Sequence, residues 1–193
     1  MPPETSLAHA QYLRRTAPHC GGGSDAGQRN RTAAQHAAWL DSLPQSERPT
    51  LLRGDIAYGN EAVLCEAEAR DQAYLTKLRL TANAKRLIKK LFRANGWEDA
   101  GQDWEGLEDT LKLAGWSRAR RVVVLRRKLT GEMLITGKEE RPDEFAFIEG
   151  DIPTVRYEYA VLVTSTQYEI LTLAQLYRDR ADAENNFDEL KNQ

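Results

Sequence analysis

The sequence contains little that could cross-link it or gather a soft metal. Two cysteines, Cys20 and Cys65, in 193 residues are too few for a disulfide scaffold. All three histidines, His9, His19 and His36, fall in the first fifth of the chain, so no histidine and cysteine cluster can form across it. No apolar run approaches the roughly 20 residues of a helical membrane span, which excludes that class and any membrane partner. The opening Met-Pro-Pro-Glu-Thr-Ser lacks the basic start and apolar core of a signal peptide, which points to the cytosol. Also absent is any acidic residue between Gln72 and Trp97.

A hydrophobic content of 41% and a charged content of 29% fit one domain, or one domain carrying an insertion. With 27 basic and 29 acidic residues the net charge is only -2, but the charges are not evenly spread. Lys77, Arg79, Lys85, Arg86, Lys89, Lys90 and Arg93 fill the acid-free stretch, and Arg118, Arg120, Arg121, Arg126, Arg127 and Lys128 form a second block. Such blocks suit a polyanion, because Lys and Arg contacts to phosphate release condensed counterions. They equally suit a solvated face, and charge alone favours that reading.

The first 31 residues read as a poorly ordered arm, with Pro2, Pro3, Pro18 and Gly21-Gly22-Gly23-Ser24 and no sustained periodicity. Thr32 to Leu43 predicts a short helix opened by a Thr32 and Gln35 capping box and stopped by Pro44. Thr50 to Ile56 predicts a strand delivering Asp55 at its carboxyl end; Asn60 to Asp71 predicts a helix, and Ala73 to Leu80 a second strand. Strand, helix, strand within about 30 residues is a parallel crossover and marks an α/β core. Residues 81–167 predict a basic amphipathic helix from Asn83 to Ala94, then strands at Thr110 to Trp116, Arg121 to Leu129, Glu132 to Ile135, Glu144 to Ile148 and Arg156 to Thr166, with a hairpin turn at Thr130-Gly131. This region reads as a β-rich insertion. A last helix is predicted from a capping box at Thr172 to the C-terminus.

That helix carries the most informative pattern. At about 100° per residue, Tyr177, Arg180, Glu184 and Lys191 share one narrow stripe beside an apolar stripe of Leu176, Ala183, Phe187 and Leu190. A polar row at the edge of a buried face is a candidate site; an Arg180 and Glu184 ion pair is the simpler alternative, and spacing alone weights the two equally.

The row Tyr-x2-Arg-x3-Glu-x6-Lys resembles the signature of the DDE transposases of bacterial insertion sequences, in the branch named for that Tyr-Arg-Glu-Lys motif. Leu51-Leu52-Arg53-Gly54-Asp55, followed by Tyr58-Gly59, is similar to the strand that presents the family's second catalytic Asp, and the Trp116 to Arg127 stretch is similar to a strand of its insertion. The resemblance spans roughly Arg29 to Gln193 and implies an RNase H-like catalytic domain interrupted by the β-rich insertion. On this layout 32–80 is the first part of the core, 81–167 the helix and insertion, and 168–193 the catalytic-domain helix. It further implies that Asp55 and Glu184 are catalytic ligands of two Mg²⁺ or Mn²⁺ ions. Tyr177, Arg180 and Lys191 would contact DNA, with Lys85, Arg86, Lys89, Lys90, Arg120 and Arg121 as further phosphate contacts. The implied partners are insertion-sequence DNA ends and a second copy of the chain in a transposition complex, in a bacterial, nucleoid-associated setting.

One family feature is missing. The first catalytic Asp should lie on a strand well upstream of Asp55, and neither Asp25, in a glycine-rich stretch, nor Asp41, on a predicted helix, replaces it. The expectation is a partial, N-terminally truncated transposase that is inactive by itself. The alternatives are a DNA-binding remnant without catalysis and an interaction-only fragment.

Overall fold

The protein is described here from a computed structural model, which covers residues 25–129, 144–147 and 155–179, with side chains for 31–129 and 156–179. The first helix, α1 (Asp25–Ser42), starts seven residues before the expected Thr32, so the chain from Asp25 onward is helix rather than arm. A short 3-10 turn (Gln45–Glu47) leads to β1 (Leu52–Gly54). Next come α2 (Glu61–Ala69), capped by the Asn60 side chain, and β2 (Tyr74–Lys77). The expected crossover is present, since β1 and β2 pair in parallel with Leu52 opposite Tyr74.

Helix α3 (Ala82–Phe92) is capped by Thr81, whose hydroxyl accepts the Ala84 N–H. After it come β3 (Glu98–Gly101), β4 (Trp104–Leu111), β5 (Arg120–Lys128), β6 (Glu144–Phe147) and β7 (Val155–Thr164), and then a helix over 170–179, α4. The strand expected at Thr110 to Trp116 begins earlier, at Trp104, and β3 was not foreseen. The final helix starts at 170, ahead of Thr172. The Glu132 to Ile135 strand and the Thr130-Gly131 turn lie outside the described residues.

All seven described strands join one sheet in the order β1-β2-β7-β5-β4-β3, with β6 on the same edge of β7 as β2. Only β1 and β2 are parallel; every other pair is antiparallel. Val122, Val123, Val124 and Leu125 of β5 are all buried, as a strand covered on both faces requires. On one face Leu40, Leu64, Leu87, Ile88 and Leu91 bring α1, α2 and α3 onto Val122, Val124, Tyr159 and Val161. On the other, Ile170, Leu173, Ala174 and Leu176 seat α4 on Leu75, Val123, Leu125 and Leu162. Gly106 permits that seating, because a Cβ there would collide with Ile170.

Candidate functional site

Asp55 follows the last residue of β1, at the strand's carboxyl end, where crevices of open α/β sheets lie. The chain then doubles back so tightly that a Cβ on Gly54 would sit 2.6 Å from the Cβ of Tyr58, and one on Gly59 2.5 Å from the Lys77 carbonyl. The turn is therefore pressed onto both parallel strands. Asp55 Oδ1 accepts the Ala57 N–H at 2.8 Å, and the Tyr58 N–H donates to the Asp55 carbonyl at 3.1 Å. The half-buried carboxylate has no other hydrogen bond among the described residues, so it keeps a hard oxygen available to a cation.

Behind this turn is a cavity of about 10 Å³ lined by His36, Gly54, Tyr58 and Thr76, at the lower limit of what admits one water. His36 is 6% exposed and neither ring nitrogen has a hydrogen-bond partner among the described residues. Burial, and then the charge of Arg70, push its pKa down, which keeps it neutral at neutral pH.

Three arginines fasten α4 and its approach to the sheet. Arg121 Nη1 donates to the carbonyls of Thr166 and Tyr168 at 2.8 and 3.0 Å, Arg178 Nη2 donates to Ala100 at 2.8 Å, and Arg53 Nη1 donates to Leu176 at 2.9 Å. Arg53 thus ties the strand that leads into Asp55 to α4, the helix on which Tyr177 lies. Of that row only Tyr177 falls within the described residues, half-buried against the second core; Arg180, Glu184 and Lys191 lie outside them.

Arg120, expected on a phosphate-binding strand, is instead a hub 4% exposed. It bonds Glu68 through Nε at 2.7 Å and Nη2 at 2.9 Å and Glu61 through Nη1 at 2.6 Å, with its guanidinium 4.8 Å from the Trp116 ring centroid. Partial burial raises the pKa of both glutamates. The Arg120 bonds, helped by Ser117 at Glu61 and by Arg118 at Glu68, outweigh it and bring both down to about 2. Cys65, beside Glu61, is pushed up by burial and by that carboxylate, away from thiolate chemistry.

The other four arginines of the second basic block are also internally matched. Arg118 pairs with Glu68, Arg121 with Glu108, Arg126 with Glu105 and Arg127 with Glu158. The α3 block is more open to solvent: Lys85, Arg86, Lys89 and Lys90 are all exposed, with Arg86 bonded to Asn83 and Lys90 paired with Asp109. That face lies across the sheet from α4. Asp41 is exposed and bridged to Arg70 at 2.8 Å and Arg48 at 3.8 Å, so it serves α1 rather than a cation.

Sequence reasoning missed Arg53, Glu61 and Glu68 as organising residues. Glu61 and Glu68 stand seven apart on α2, which puts two carboxylates on one face, and that spacing was the available signal. Among the described residues no three His, Cys, Asp or Glu side chains gather to hold a metal, and no helix is long and apolar enough to cross a membrane.

No curated protein matches the chain. The family described as transposase DDE domain matches residues 9–193, nearly the entire sequence and every element that frames Asp55 and α4. The chain belongs to the transposase DDE domain family.

Proposed function

We propose that this chain carries part of the DNA-cutting and joining centre of an insertion-sequence transposase, in which Asp55 and Glu184 are metal ligands. The observation that supports it is the pairing of Asp55, at the carboxyl end of β1, with an α4 helix fastened to the same strand through Arg53 and Leu176. Asp55 presents a hard carboxylate oxygen, the donor type that Mg²⁺ and Mn²⁺ prefer. When bound, two such ions activate a water or 3′-hydroxyl and stabilise the leaving oxygen of a phosphodiester.

In this reading Tyr177 supports the DNA backbone, Arg180 and Lys191 neutralise phosphate at the cut, and the exposed α3 face holds flanking duplex through Lys85, Arg86, Lys89 and Lys90. Residues 81–167 act as the insertion, delivering α3 and the strands that widen the sheet before α4. Two carboxylates of the three expected do not align an in-line attack, so the chain alone is inactive. The test is Mn²⁺ binding by electron paramagnetic resonance: wild type binds, Asp55→Asn and Glu184→Gln do not. Equal binding by all three would remove the ligand assignment.

A second reading, DNA retention without catalysis, is favoured by the placement of the basic α3 face across the sheet from α4. DNA could occupy α3 with no assembled metal centre. Binding that is indifferent to Mn²⁺ and to Asp55→Asn selects it.

A further inference from the structure

We propose that Arg79 is a phosphate-contact residue, holding a DNA phosphodiester beside the turn that presents Asp55. The inference rests on the reading of this chain as one that holds duplex DNA, and it adds a contact outside both α3 and the Tyr-Arg-Glu-Lys row.

Arg79 stands apart by its lack of partners. Arg48, Arg70, Arg118, Arg121, Arg126 and Arg127 are bridged to acids, and every other arginine whose side chain is described also has a partner. Arg79 is exposed and makes no hydrogen bond, ion pair or ring contact among the described residues. The cause begins in the sequence, where no acid occurs between Gln72 and Trp97 to serve as a local partner. All five guanidinium donors are therefore open to a ligand, and no internal pair has to break before they reach a phosphate.

The backbone beneath this free tip is fixed. Leu78 is buried in the core, its N–H donates to the Val161 carbonyl at 2.7 Å, and the Arg79 carbonyl accepts the Thr81 N–H at 2.8 Å just before Thr81 caps α3. Register sets that mount next to Asp55. Gly54 pairs with Thr76, so Asp55 and Lys77 are the next residues along two parallel strands, and a Cβ on Gly59 would sit 2.5 Å from the Lys77 carbonyl. Two residues of chain, at most about 7 Å, separate Lys77 from Arg79. In the other direction α3 opens at Ala82, and the path from Arg79 to the exposed Lys85 is at most about 15 Å, over which one DNA strand presents about four phosphates. One duplex can therefore lie on α3 and meet Arg79 where it approaches the Asp55 turn. The planar fork suits a phosphodiester through two parallel hydrogen bonds, which a lysine cannot match.

The experiment uses the full chain and a short fluorescein-labelled duplex of arbitrary sequence, titrated by anisotropy over a salt series. Arg79→Gln is expected to reduce the slope of log affinity against log salt by about 0.9, the loss of one phosphate contact. Arg79→Lys should restore the slope, because the charge returns, while recovering only part of the affinity, because the fork does not. Lys112→Gln should leave the slope alone: it removes the same charge from an exposed site beside the Leu111 and Arg120 pair, at the end of the sheet where β2 begins rather than ends. If Arg79→Gln keeps the wild-type slope while Lys85→Gln lowers it, the DNA reading stands and the Arg79 contact falls. Equal losses in Arg79→Gln and Lys112→Gln would reflect net charge alone and overturn the contact. A lysine variant as defective as the glutamine variant would make the loss structural and overturn it too. If wild type shows no salt-dependent binding, the DNA reading falls, and the Arg79 contact with it.

Discussion

Arg120 and Glu68 meet fork to fork, Nε to Oε1 at 2.7 Å and Nη2 to Oε2 at 2.9 Å, joining the middle of the sheet to helix α2. Both carboxylate oxygens and two guanidinium nitrogens are engaged, and the third nitrogen is taken by Glu61. Removing one member strands charges with little access to water, whereas neutralising all three together removes the conflict.

Arg120→Met should therefore destabilise the protein by about 3 to 5 kcal/mol in urea denaturation. The triple variant with Glu61→Gln and Glu68→Gln should recover a large part of that loss. A single variant within 1 kcal/mol of wild type, or a triple variant no better than the single, would refute a structural role for the hub.

Acid should unfold the protein in two stages. His36 has a folded pKa pushed below its ordinary 6.5, so the unfolded state takes up the proton first; its contribution is complete above pH 6.5 and declines below it. Glu61 and Glu68 are held near 2 against an ordinary 4.5, so theirs is complete above 4.5 and is lost as pH falls towards 2. Melting temperature against pH should show both windows. His36→Phe should flatten the upper one and Arg120→Met the lower one; a profile unchanged by either variant contradicts the assignment.

Gly106→Ala should cost about 1 to 3 kcal/mol, since the new methyl must displace Ile170 from β4. Adding Ile170→Ala should make the pair less damaging than the sum of its single effects, by 0.5 kcal/mol or more on the usual scale for touching residues, about the limit that a double-mutant cycle resolves. Strict additivity would show that α4 does not sit on Gly106.

Duplex DNA affinity should fall log-linearly with salt and without sequence preference, through the α3 face. Lys85→Gln, Arg86→Gln and Lys89→Gln should each reduce the salt slope by about 0.9 if each contacts a phosphate. Arg127→Gln, already matched by Glu158, should leave the slope alone. The reverse pattern moves the DNA surface to β5.

No strand transfer or nicking of insertion-sequence ends is expected from this chain in Mg²⁺ or Mn²⁺, because errors of about 1 Å in a phosphoryl-transfer site cost on the order of 100-fold in rate. Cleavage that disappears in Glu184→Ala would show that a third ligand exists in the chain.

The β1, α2, β2 crossover was legible because each boundary has local chemistry: Asn60 caps α2, and the apolar runs around Leu52 and Leu75 are short and bounded. The start of α1 was not, since residues 25–31 are polar and glycine-flanked and offer no periodicity. Strand β3 and the start of β4 were missed because their turn uses Gln102 and Asp103, both at positive φ, without the Asn-Gly signal that usually marks such a hairpin. The second basic block misled for a different reason. A run of arginines in sequence is not a surface when the segment is a strand, because alternation sends Arg120 towards α2 and Arg121 towards α4. The burial of Arg120 depends on acids 52 and 59 residues away, beyond the reach of any local pattern.

The strand order also sets a schedule for synthesis on the ribosome. The crossover unit meets the rest of the sheet through β7, where the Tyr74 N–H bonds the Ser165 hydroxyl 91 residues later. At roughly 5 to 20 residues per second, β2 waits several seconds or more with one edge unpaired before its partner is made. The meander of β3, β4 and β5 can close as soon as it emerges, since its pairings are local. The turn at Asp55 is thus made well before the strand that completes its sheet, and during that interval β2 carries an open edge that a second nascent chain could pair with.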